Sequence, residues 1–93
     1  MQPARAITPD TLRLAEGVQL HCDWDADLYT LVSPEGAVAL NRAAAAVLTQ
    51  CDGRSTQRDL MIRFGRGDLV QARHVGAFIE AALERRWIAH AWW

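Results

Sequence analysis

Val18-Gln19-Leu20-His21-Cys22 alternates apolar and polar residues, which predicts a half-buried strand. Leu28-Tyr29-Thr30-Leu31-Val32 is rich in β-formers and predicts a second strand, after an acidic, turn-like Asp23 to Asp27. Ser33-Pro34-Glu35-Gly36 has Pro second and Gly fourth, as suits a type I turn, and Ala37-Val38-Ala39-Leu40 predicts a short third strand. Short strands joined by short links give an antiparallel meander. The pattern changes at Asn41, a favoured N-cap ahead of the helix-forming run Ala43 to Leu48. That first helix should end near Gln50, because Asp52-Gly53 is a turn pair. Thr56 with Asp59 resembles a capping box, opening a second helix that carries Leu60, Met61, Ile62 and Phe64 and stops at Gly65. Asp68 caps a long third helix, running to about Arg86, whose apolar positions Val75, Phe78, Ile79, Ala82 and Leu83 follow helical spacing. Trp87-Ile88 is expected to pack back on the body. The expected class is α+β and winged-helix-like, a three-stranded antiparallel sheet followed by three helices.

At 93 residues the chain has room for one domain. Met1 to Pro9 holds two prolines and little pattern, so residues 1–11 read as a flexible lead-in and residues 12–93 as a single domain. A hydrophobic share of 51% suffices for a core and argues against disorder. The net charge of -1, with cations interleaved among acids, lacks the basic face that phosphate binding needs. Arg58, Arg63 and Arg66 could trim a DNA-reading helix, but read better as a solvated helix face and loop. Ala43 to Leu48, the longest apolar run, is far too short to span a bilayer. With no apolar signal segment, the expectation is a cytoplasmic protein with reduced thiols and no membrane attachment.

The sequence offers little chemistry. Cys22 and Cys51 match no metal or redox spacing, and His21, His74 and His90 have no partners at metal-ligand spacing. His21 and Cys22, adjacent in a strand, point to opposite faces. Cys51 has no evident adjacent base and reads as a small hydrophobe at a helix end. Gly65-Arg66-Gly67 lacks the Lys-Ser/Thr pair of a phosphate loop. No catalytic residue, metal or cofactor is expected. Of the four tryptophans, Trp87 reads as core, whereas Trp92 and Trp93 are either exposed or an anchor for a partner.

Leu31, Pro34-Glu35-Gly36, Leu40-Asn41, Ala44, Asp52-Gly53 and Thr56 form an ordered series, extended by Phe78 and Trp87. The series resembles the PqqD family, the peptide chaperones of pyrroloquinoline quinone biosynthesis, over roughly Leu12 to Ile88. The resemblance implies a RiPP recognition element of three strands and three helices. Such a module binds a precursor peptide (PqqA) and delivers it to a radical S-adenosylmethionine enzyme (PqqE), without cofactor or catalysis of its own. Similar modules serve other ribosomally made, modified peptides, and the Ala-rich third strand and first helix depart from many relatives. A winged-helix DNA-binding protein is the alternative from another class.

The residues support peptide binding separately from the resemblance. The third strand of a meander can be an edge, with unpaired N–H and C=O groups for an extended peptide. Ala37 and Ala39 are small enough for close approach. The expected peptide site is Val38, Ala39 and Leu40 on the strand, facing Val75, Phe78, Ile79 and Ala82 on the third helix. An exposed edge would also permit strand exchange into a homodimer.

Overall fold

The computed structural model describes Asp10 to Ala91. The elements run β1 (Thr11–Leu14), β2 (Gln19–Asp23), β3 (Leu28–Ser33), β4 (Gly36–Leu40), α1 (Arg42–Thr49), β5 (Asp52–Thr56), α2 (Gln57–Gly65), α3 (Leu69–Glu84) and β6 (Ile88–His90). The expected meander is present as an antiparallel sheet in the order β2-β3-β4. Neither Pro34 nor Glu35 takes a positive φ, as a type I turn requires, and Gly36 sits at φ 131°. The α+β class, with a three-stranded meander and three helices, describes the chain.

A second antiparallel sheet, in the order β5-β1-β6, was not anticipated. The lead-in expected over residues 1–11 stops short of Thr11, which is buried in β1; Met1 to Pro9 lie outside the described residues. Asp52-Gly53, read as a turn, opens β5 instead. Thr11 pairs with Thr56 and Arg13 with Asp52, so β5 carries extra residues against β1, and Gly53 at φ 89° lies in this irregular stretch. The turn signal became a bulge. β6 pairs with β1 through Leu12↔His90 and Leu14↔Ile88, which places Trp87-Ile88 against the body as expected.

The helix starts are those the caps predict. Asn41 Oδ1 accepts from the Ala44 N–H at 2.8 Å. The Thr56–Asp59 box is complete: the Asp59 N–H donates to Thr56 Oγ1 at 3.1 Å and the Thr56 N–H to Asp59 Oδ2 at 3.0 Å. Asp68 Oδ1 accepts from Val70 and Gln71. Glycine lets α2 and α3 approach closely, since a Cβ on Gly76 would stand 3.0 Å from Met61 Cε. One core joins both sheets and all three helices, with Leu12, Leu31, Leu48, Leu60, Ile79 and Ile88 fully buried.

Candidate functional site

β4 is an edge strand, hydrogen-bonded to β3 on one side only. The register Ser33↔Gly36, Leu31↔Val38 and Tyr29↔Leu40 closes the hairpin at Gly36 and brings Val38 and Leu40 into bonding positions against β3. Alternation of the antiparallel ladder then turns the N–H and C=O groups of Ala37 and Ala39 outward, away from the sheet. Their methyl groups are exposed on the outer face beside Val32. The inner face carries the cross-strand rows Leu20, Leu31, Val38 and Cys22, Tyr29, Leu40.

Two hollows flank the edge. At the hairpin end, about 320 Å³ is lined by Ser33, Ala37 and Val38 on one side and by Arg85 and Trp87 on the other. The Arg85 guanidinium lies 5.4 Å from the Trp87 ring centroid, holding the indole as a flat wall. At the other end, Asn41 and Ala44 face His74, Val75 and Phe78 across about 270 Å³. Phe78 is half-buried and borders this hollow. Val75 is largely buried but reaches the same hollow. Ile79 and Ala82 have no exposed surface: they hold α3 to the core and support the wall from beneath. Val38 lines the hairpin-end hollow, Leu40 packs on the core, and Ala39 offers its backbone. Arg85, Asn41, Ala44 and His74 line these hollows, although the sequence reading did not place them in the peptide site. None forms part of an apolar periodicity.

Near the β4–α1 junction a polar cluster fixes the β2–β3 connection. Tyr29 OH donates to Asp27 Oδ1 at 2.8 Å, and Arg42 Nη1 donates to Tyr29 OH at 2.8 Å and Asp27 Oδ1 at 3.2 Å. The Tyr29 hydrogen bond, with help from Arg42, holds the Asp27 carboxyl below the usual carboxylate range. Burial, then the hydrogen bond to Asp27, raises the Tyr29 phenol. Cys51 is buried, and burial pushes its thiol up to about 12, the opposite of an activated nucleophile. Among the described residues, no three His, Cys, Asp or Glu side chains are grouped to hold a metal ion. No helix among them is long and apolar enough to cross a membrane.

Taken together, the described residues present an open strand edge with hollows at both of its ends. The same architecture is found in the PqqD part of Methylobacterium extorquens PqqCD, a RiPP recognition element solved by NMR, with a TM-score of 0.65 over 90% of this chain and 100% of that one at 23% identity. No family model matches the chain. Among curated proteins it is similar to the PqqA binding protein of Stutzerimonas stutzeri, at 42% identity over 64% of this chain and 68% of the relative. The PqqA binding proteins of Azotobacter vinelandii and Methylococcus capsulatus match at 34% and 31% identity, over 85% and 89% of this chain and 89% and 92% of theirs. The chain belongs to the PqqD family of PqqA binding proteins.

Proposed function

We propose that this chain is a non-enzymatic chaperone that binds a PqqA-type precursor peptide as an added strand on β4 and presents it to a radical S-adenosylmethionine enzyme. The observation that carries the reading is the open β4 edge, with the N–H and C=O groups of Ala37 and Ala39 turned outward; one hollow opens beside Ala37 and Val38, and a second, bordered by α3, begins at Asn41 just past the end of the strand. Strand addition supplies affinity through main-chain bonds, and the hollows beside Val38 and Phe78 supply selectivity for side chains. The relatives' names support the choice of peptide. No cofactor enters the reading.

Backbone bonds are tested with proline, because it removes a donor and fixes φ. Ala39 sits opposite Thr30 at a position whose N–H points to the open edge, so Ala39→Pro leaves the β3–β4 bonds in place. It should weaken binding of synthetic PqqA by about tenfold or more with the fold retained by circular dichroism. An NMR titration locates the peptide: shifts should concentrate on β4 and α3. Shifts confined to α1 and α2, with β4 and α3 silent, would reject this placement. Steeply salt-dependent binding of duplex DNA in place of peptide would favour the nucleic-acid reading.

A further inference from the structure

The alanine run of α1 and the exposed Trp24 meet at one place. Only Asn41 separates β4 from α1, so the C-terminal end of β4 adjoins the first turn of α1. There the small Ala43 and Ala46 leave space, and a cavity of about 730 Å³ opens between α1, the end of α2 and the start of α3. Ala43, Val47, Gln71 and Val75 line both this cavity and the hollow beside Phe78, so the two form one continuous groove.

The cavity combines apolar walls with a pinned aromatic ring at its mouth. Val47, Phe64 and Val75 give it apolar walls. Trp24, 40% exposed, stands at its mouth. The indole is pinned: its ring lies 4.9 Å from that of Tyr29, and the Arg42 guanidinium lies 5.3 Å from its centroid. Arg42 is itself held by Asp27 and Tyr29 and by the Trp24 carbonyl. Arg42 is engaged by its ion pair with Asp27, and Asp68 lies in the same lining as Arg66, so the cleft carries both signs of charge. A fixed indole and guanidinium favour a ring.

We propose that the α1–α3 cleft is a second peptide subsite, which takes one aromatic side chain from the segment adjoining the part that pairs with β4. This rests on the peptide-binding reading above. The test is calorimetric titration of synthetic Stutzerimonas stutzeri PqqA into the unaltered chain and into Ala43→Leu and Trp24→Leu. PqqA versions with each aromatic residue changed in turn to Ala are titrated alongside. Ala43 is exposed on a helix, so leucine fills the cleft without entering the core. Both variants should keep their melting temperature within a few degrees and lose roughly fivefold in affinity. One aromatic replacement in PqqA should cost the unaltered chain about fivefold and the Ala43→Leu variant less than about twofold. Affinities unchanged in both variants, or aromatic replacements costing all three chains alike, overturn the subsite. If Ala39→Pro weakens binding while Ala43→Leu does not, the subsite alone falls. If the unaltered chain does not bind PqqA, peptide binding and the subsite fall together.

Discussion

Cys51 packs under α1 with its thiol donating to the Val47 carbonyl at 3.6 Å. Burial raises that thiol, and the side chain belongs to the hydrophobic core. Replacing it with Ala should cost about 1 kcal/mol of stability, and a Cys22/Cys51 double replacement should bind peptide as before. Loss of binding in a folded double variant would show that a thiol takes part. Gly36 is the opposite case, a residue with empty space around its missing side chain but a backbone that side chains disfavour. Gly36→Val forces a β-branched residue to φ 131°, at a cost of about 1–3 kcal/mol. Thermal melting should register that loss, and peptide binding should weaken with it because the same turn sets the register of β4. An unchanged melting temperature would mean that the hairpin tolerates the strain.

Among the elements, α2 shows a cap acting as a pH sensor of stability. The Thr56 backbone N–H, above all, holds Asp59 below the ordinary carboxylate range, and the Thr56 hydroxyl and nearby Arg63 and Arg58 add to it. A carboxyl that binds its proton less tightly when folded stabilises the fold above its unfolded pKa of about 4. That stability disappears as pH falls through the lower folded value. Asp27 has the same sign. Asp59→Asn should therefore lower stability at neutral pH and flatten its fall between about pH 5 and 2, measured by urea unfolding at several pH values. An acid limb as steep as that of the unaltered chain would discount the box. The capping box and both other N-caps were legible in the sequence because a cap is a local event, complete within four residues. β1, β5 and β6 were not. β6 has three residues, and β1 is held by Thr56 on one side and His90 on the other, so its pairing depends on contacts remote in sequence. Asp52-Gly53 misled for a related reason: the same backbone freedom serves a turn or a bulge, and only the partner strand decides.

For the molecule as a whole, core and groove share one helix. α3 turns Ile79 and Ala82 inward and leaves Phe78 on the boundary. The helical stripe was readable in the sequence; which of its members meets the groove was not, because that depends on where α1 and β4 end. Phe78→Ala should thus act twice. It should lower stability by less than the ~3–5 kcal/mol of a fully buried phenylalanine and weaken peptide binding beyond what unfolding explains. A folded variant with undiminished affinity would assign Phe78 to the core alone. The pairing of β1 with β6 has a consequence of another kind. The Ala91 N–H donates to the Thr11 carbonyl at 2.7 Å, so the described fold is entered and left through a single point. A unit with that geometry can be spliced into a loop of a host protein as a cassette, the host chain departing and returning at nearly one spot. It could equally be re-opened elsewhere, with a short linker joining its old ends, and keep its groove unchanged.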